Sequence, residues 1–390
     1  MNTLLDLDLS NKRVLLRVDL NTPIQDYKIS DDERIVRSLP TIRHILENNG
    51  KLTVLSHLGR PEENGVIQVK YSLKPVAQRL GELLDLEVNL FDSIEEWSEP
   101  DSGNLNMLEN VRFLKGEKSN NPSLSRRLAE MCDIFVMDAF ATSHRGHAST
   151  TGVISFAKKA CSGLLLEEEL ESLNKLNQNE NRPSVAVLGG AKISTKLDLI
   201  NSLSDKMDYV ILGGGIANTC LAAQGFEVGS SLCERDMLKQ ALELANKEGV
   251  ILPKKVVVAN SSEEQGRVVD IDSIESSDSI YDIAPESFEA VRSILADAKL
   301  ILWNGPVGMF EKQQFIHGTS CVAKMIANSR AYSVGGGGDT IAAAKEIGVL
   351  DDIDYMSTAG GAFLEFIEGR PLPAIEALKL KALESQDNRA

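Results

Sequence analysis

Short apolar runs alternate along the chain with stretches in which apolar residues recur every three or four positions. Residues 14–20 read as a strand, and 34–47 carry the spacing of an amphipathic helix closed by Asn48, Asn49 and Gly50. Further strands are expected at 52–55, 87–90, 105–108 and 134–137, with helices at 73–84 and 124–131. After Thr151 comes a leucine-rich helix, 164–176, and then the polar run NQNENRP ending at Pro183, a breaker that fits a domain connection. The second half repeats the alternation, with strands expected at 185–188, 209–212, 256–258, 300–302, 332–334 and 355–356. This repetition predicts an α/β protein of two Rossmann-like domains, each a parallel sheet covered by helices, joined by a long helix and hinge. The boundary is expected near residue 180, dividing 1–180 from 181–369 and leaving 370–390 as a tail.

The halves differ in what stands where their strands end. In the first, RVDLN supplies Arg17, Asp19 and Asn21, SHLGRP supplies His57 and Arg60, and ENVRF supplies Arg112. DAFATSHRGHAST adds Asp138, His144, Arg145 and His147. A single arginine or histidine in a loop is ordinarily a solvated residue. Recurrence after successive strands points instead to a small anion carrying carboxylate and phosphate, because ligands of open α/β sheets bind outside the carboxyl ends of strands and the guanidinium fork matches both groups.

In the second half the strand ends carry glycine. VAVLGGAKISTK places Gly189 and Gly190 after an apolar run, and a helix is expected to start there with Lys192 and Lys196 on one face, able to reach one anion. A cation in a first helical turn opposes the dipole, which marks Lys192. Two solvated lysines after an ordinary turn would read the same way, and the local pattern does not choose. Gly213–Gly215, NGPVGMFE (304–311), GGGGDT (335–340) and STAGGA (357–362) follow other strands, as phosphates lying on helix N-termini require. Asp339 suits either a helix N-cap or a magnesium contact, and Glu311 either an exposed acid or a ligand contact. The chain has no G-x-x-x-x-G-K-[ST] and no complete G-x-G-x-x-G, so neither a P-loop enzyme nor a nicotinamide-dependent dehydrogenase is favoured.

Composition narrows the classes further. The chain has 390 residues, 43% hydrophobic and 25% charged, enough for two or three ordinary globular cores. Its net charge of −16 argues against nucleic acid or an acidic membrane as partner. Five cysteines without C-x-x-C spacing indicate neither a disulfide framework nor a zinc site and fit a reducing cytoplasm. The start, MNTLLDLDLSNKR, lacks the pattern of a targeting segment, and no apolar run is long enough to span a membrane. A monomer in the cytoplasm is expected.

Taken together, RVDLN, SHLGRP, ENVRF, DAFATSHRGHAST, GGAKISTK, the triple glycine, NGPVGMFE, GGGGDT and STAGGAFLEFIEG closely resemble the phosphoglycerate kinase family in order and spacing over essentially the whole chain. The resemblance implies reversible phosphoryl transfer from 1,3-bisphosphoglycerate to ADP, giving 3-phosphoglycerate and ATP. It assigns Asp19, Leu20, Asn21, His57, Leu58, Gly59, Arg60, Arg112 and Arg145 to the phosphoglycerate, and Arg34 both there and to catalysis. Lys192 and Lys196 match phosphate-contacting lysines, and Glu311 a ribose contact. Gly213, Gly214, Asn304, Gly337, Gly338, Asp339 and Thr340 join Lys196 in the nucleotide site, with Asp339 towards magnesium bound with ADP or ATP. It also implies that residues 370–390 return to the N-terminal domain. Ala141, Ser143 and Ala359 depart from the family pattern, and Ala359 would be strained if its backbone required positive φ.

A carboxylate attacking a phosphoryl group is already ionised at neutral pH, so the chemistry needs electrostatic stabilisation and in-line placement more than a general base. A non-catalytic, two-lobed anion-binding protein would share the arginines but not the glycine loops.

Overall fold

The computed structural model describes residues 1–101, 104–177 and 181–387. The chain forms two compact units, Met1–Glu171 with Pro371–Ala390, and Ser172–Arg370. The division falls inside the helix Leu164–Asn174, after Glu171. Residues 178–180, where the boundary was expected, lie outside the described residues.

The first unit is built on a six-stranded sheet in the order Val88–Phe91, Leu105–Leu108, Lys51–Leu55, Arg13–Val18, Ile134–Asp138, Lys159–Ser162, with every neighbouring pair parallel. The central strands are buried nearly throughout, as runs this rich in apolar residues require when helices cover both faces. Helices Glu33–Glu47 and Lys74–Leu84 pack their apolar stripes, including Ile35, Ile42, Ile45, Val76 and Leu80, into this core. Strand order reverses at Arg13–Val18, whose neighbours are the second strand of this sheet in chain order on one side and the fifth on the other. Such a switch point is where open α/β sheets hold ligands. The sixth strand, Lys159–Ser162, was not expected: its sequence KACS has neither β-branched residues nor alternation. The terminal helix Pro373–Asp387 belongs to this unit, burying Ala374 and Leu378, with the Ala374 N–H donating to the Ser143 carbonyl at 3.1 Å.

The second unit has a parallel sheet in the order Val250–Ile251, Tyr209–Leu212, Ser184–Leu188, Leu300–Asn304, Tyr332–Gly336, Tyr355–Ser357. In chain order this is 3-2-1-4-5-6, the doubly wound Rossmann arrangement, with its switch point between Ser184–Leu188 and Leu300–Asn304. The strand expected at 256–258 is present as Lys255–Ala259, but it is the centre of a separate antiparallel sheet between Arg267–Asp270 and Ser279–Ile283. An apolar run of that length does not reveal its partner, and the third strand of this unit's parallel sheet is the two-residue Val250–Ile251.

Two local expectations change. No α-helix starts at Gly190: a 3-10 turn, Ile193–Thr195, intervenes, and the helix is Leu197–Lys206. Lys192 therefore precedes the short turn in extended conformation, and Lys196 immediately precedes the helix, so the two do not share a helix face. The physical reason is Gly190 at φ +139, which continues the turn instead of starting a helix. Asp339 is not an N-cap, since helix Gly338–Ile347 is preceded by Gly337. Ala359 is free of the feared strain: the positive φ of that turn falls on Gly360.

Candidate functional site

In the first unit, the loops after the strands are tied to one another. Leu20 donates its N–H to Ser56 Oγ at 2.9 Å, and Asn21 Oδ1 accepts the Gly59 N–H at 2.8 Å. Arg112 donates to the Gly59 carbonyl, and Asn110 Nδ2 to the carbonyls of Leu58 and Tyr71 at 2.8 and 2.9 Å. Gly59 stands at φ +60, and a Cβ there would lie 2.5 Å from the Tyr71 ring, so only glycine fits between these anchors. Arg34, in the first turn of its helix, forms an ion pair with Asp19. Arg145 donates from Nε to His144 Nε2 at 3.1 Å. Arg60 is exposed beyond Gly59.

Four guanidinium groups share one field. Burial pushes the His57 imidazole well below its ordinary range, and Arg17, Arg112, Arg145 and Arg34 push it further. Burial, then Arg145 and Arg17, bring Arg112 down to about 10. Burial and then the charges of Arg112, Arg145 and Arg17 bring His147 to about 4, so both histidines are neutral at physiological pH. Like charges that share one partly buried field lower their mutual repulsion by taking an anion. Arg60 and Leu58 flank the cluster in sequence, Leu58 as a buried side chain.

Arg17, one of the strand-end candidates, is buried here, as are Asn110, Glu117 and Ser149, to which the sequence assigns no site role. Arg17 was visible as a cation inside an apolar strand, and Glu117 carries no signal beyond being an acid in a polar loop.

In the second unit the switch point is closed by Lys196. Its Nζ donates to the Gly189 carbonyl at 2.7 Å, the Asn304 carbonyl at 3.1 Å and Asn304 Oδ1 at 2.6 Å, bridging the ends of the two central strands. Burial brings its ammonium down to about 8, opposed by the charge of Asp339. Asn304 Nδ2 donates to the Gly336 carbonyl at 2.6 Å, and Thr340 Oγ1 accepts the Gly305 N–H at 2.8 Å while donating to the Gly336 carbonyl at 2.7 Å. Lys196, Asn304, Gly337 and Thr340 are thus brought together, with exposed Gly338 and Asp339 opening the next helix. Lys192 is exposed; Ser194, with a smaller contribution from Lys192, holds the Glu234 carboxyl below its usual range.

The triple glycine lets two backbones touch. Gly214 lies at φ +62, where a Cβ would meet the Gly190 carbonyl oxygen at 2.8 Å, and a Cβ on Gly213 would meet Val307 at 2.5 Å. Helix Gly214–Ala223 thereby starts against the Gly189–Gly190 turn, its N-terminal N–H groups facing the same strand edge as those of Gly338–Ile347. A cavity of about 300 Å³ adjoins them, lined by Gly190, Gly214, Val307, Phe310, Glu311 and Asp339 among others. Apolar walls beside helix N-termini and a buried ammonium can hold a planar ring at one end and phosphates at the other.

The family model for phosphoglycerate kinase matches residues 4–370. The phosphoglycerate kinase of Coxiella burnetii is 47% identical over 386 residues, covering 97% of this chain and 98% of that protein. That of Vibrio campbellii is 48% identical over 379 residues, with the same coverage. Among solved structures, phosphoglycerate kinase from Coxiella burnetii superposes with a TM-score of 0.93 at 46% identity, over 98% of this chain and 99% of that one. The enzyme from Pyrococcus horikoshii does so with 0.83 at 33% identity and the same coverage.

Proposed function

Since the chain belongs to the phosphoglycerate kinase family and catalyses its glycolytic, nucleotide-dependent phosphoryl transfer, we propose that its two strand-edge sites divide the reactants between the units. Residues 1–180 would form the phosphoglycerate-binding domain, completed by 370–390, and 181–369 the nucleotide-binding domain. Asp19, Leu20, Asn21, Arg34, His57, Leu58, Gly59, Arg60, Arg112 and Arg145 bind the 3-phosphoglycerate or 1,3-bisphosphoglycerate. The observation that carries this reading is the arginine field around His57, an excess of partly buried positive charge suited to carboxylate and phosphate. Gly213, Gly214, Asn304, Glu311, Gly337, Gly338, Asp339, Thr340 and Lys196 bind ADP or ATP along the cavity and its helix N-termini.

Magnesium fits as the nucleotide's companion. Among the described residues no three His, Cys, Asp or Glu side chains converge as a metal cage. The exposed Asp339 carboxylate beside the glycine turn offers one ligand, and magnesium is commonly held by one or two carboxylates together with substrate phosphates. When bound, the ion would neutralise charge on the nucleotide phosphates.

The catalytic set is Arg34, Lys192 and Lys196, acting on the charge of the transferring group. No proton need be removed from the attacking oxygen, so the residues bind, orient and stabilise charge. With the reactants on separate units, transfer requires hinge closure, which would also exclude water from the acyl phosphate. Action as a cytoplasmic monomer, without nucleic-acid or membrane partners, accords with the acidic net charge of −16. No helix among the described residues is long and apolar enough to cross a membrane.

Calorimetry on the full-length protein tests the division. Arg112→Ala is expected to abolish measurable 3-phosphoglycerate binding and spare magnesium-ADP, and Asp339→Ala to weaken magnesium-ADP and spare 3-phosphoglycerate. Equal loss of both ligands in either variant would overturn the assignment.

A further inference from the structure

Behind His57 lies a hydrogen-bonded chain of buried groups. Glu117 is fully buried, and its carboxylate accepts the Ser149 N–H at 2.9 Å and the Ser149 hydroxyl at 2.6 Å. The Glu117 carbonyl accepts the neighbouring Ala148 N–H at 2.9 Å, so the glutamate clamps this turn at three points. Ser149 Oγ in turn accepts from Arg17 Nε at 3.2 Å, and Arg17, 1% exposed, places Nη2 3.2 Å from His57 Nδ1.

We propose that Glu117, Ser149 and Arg17 are positioning residues that hold His57 in the tautomer with its proton on Nε2, so that it meets the phosphoglycerate as a neutral hydrogen-bond donor. The inference rests on the assignment of His57 to that substrate. Its chemistry follows from the inventory of donors. A guanidinium has no acceptor, so the contact from Arg17 requires a lone pair on His57 Nδ1 and leaves the ring's only proton on Nε2. Asp19 Oδ1 is 3.7 Å from the same Nδ1, beyond hydrogen-bond reach, and does not compete for it. The opposite tautomer would set N–H against N–H at Arg17 and would present a lone pair to an incoming anion. Arg17 cannot choose the tautomer unless it is itself fixed, and Ser149 fixes its Nε edge. Glu117 orients the serine hydroxyl towards itself, freeing the oxygen's lone pair for Arg17, and supplies a counter-charge one hydroxyl away from the buried guanidinium.

The test reads the tautomer directly. In full-length protein labelled with ¹⁵N-histidine, with the His57 resonances assigned by His57→Gln, ligand-free enzyme near neutral pH is expected to show protonated Nε2 and unprotonated Nδ1. Ser149→Ala is expected to give mixed tautomers at His57 and to raise KM for 3-phosphoglycerate roughly tenfold, leaving KM for the nucleotide unchanged. Ser149→Thr, which keeps the hydroxyl, is expected to restore both, and Glu117→Gln to shift both in the direction of Ser149→Ala. An Nδ1–H tautomer or an imidazolium at His57 in the unmodified enzyme would overturn the proposal, and this result does not depend on the Ser149 or Glu117 variants folding. A single Nε2–H tautomer with unchanged KM in Ser149→Ala would do so too. Because the tautomer is read without substrate, failure here is separate from failure of the substrate assignment, which Arg112→Ala decides.

Discussion

Arg34 illustrates how one residue answers to two demands. Its place in the first turn of Glu33–Glu47 opposes the helix dipole, and its ion pair with Asp19 gives it a local partner in the absence of ligand. A partly exposed pair of this kind contributes at most about 1 kcal/mol, whereas arginine contacts made in a phosphoryl-transfer transition state contribute roughly 10³–10⁵ in rate. Arg34→Ala is therefore expected to lower kcat by about 10³ or more with little change in 3-phosphoglycerate affinity and a small change in melting temperature. Steady-state kinetics with a thermal melt would check it, and near-normal kcat would remove Arg34 from the catalytic set. Asp138 answers to a different demand. Its fully buried carboxylate accepts the Leu166 N–H at 2.8 Å near the start of helix Leu164–Asn174, Oδ2 has no partner among the described residues, and burial raises the carboxyl to about 7. Since the ordinary value is 3.8, the folded state binds the extra proton between these limits, and stability is lost as pH rises towards about 7. Asp138→Asn, which cannot ionise, is expected to raise the melting temperature of this unit by a few degrees at about pH 8 and not at about pH 4, as calorimetry at both would show.

At the scale of elements, the second unit's site depends on turns approaching more closely than side chains allow. Gly214→Ala would place a Cβ 2.8 Å from the Gly190 carbonyl oxygen at φ +62, a strain of roughly 1–3 kcal/mol. The expected result is at least about tenfold weaker nucleotide binding with 3-phosphoglycerate binding intact, measured by calorimetry. How much of this was legible follows from the same physics. Runs such as VAVL and LILW announce strands buried on both faces because nothing polar interrupts them. Glycines and basic residues at strand ends mark the edge where ligands bind, but not which backbone each glycine touches, since that depends on neighbours distant in sequence. Lys192 and Lys196 show the limit. Their spacing of four fits one helix face, yet the positive φ of Gly190 and the 3-10 turn after it separate an exposed lysine from one bound to Gly189 and Asn304. Likewise, an apolar triplet such as VVV at 256–258 cannot state whether its partners are parallel or antiparallel. Glu117 was illegible because its partner, Ser149, is 32 residues away.

For the molecule as a whole, the division of the chain is unequal in continuity: the second unit is one uninterrupted segment, whereas the first consists of two pieces. The terminal piece buries Leu372, Ala374, Ile375 and Leu378. At about 1.5–3 kcal/mol for each large aliphatic side chain, removing everything after Arg370 forfeits on the order of 5 kcal/mol, comparable with the whole stability of an ordinary domain. The truncated chain is expected to show an early melting transition for the first unit and an unchanged one for the second, a difference that segment-resolved hydrogen exchange would detect. The Ala374–Ser143 bond joins a residue made before the second unit to one made after it. Translation delivers the second unit entire while the first still lacks its last helix, so the part of the protein made first is the part completed last.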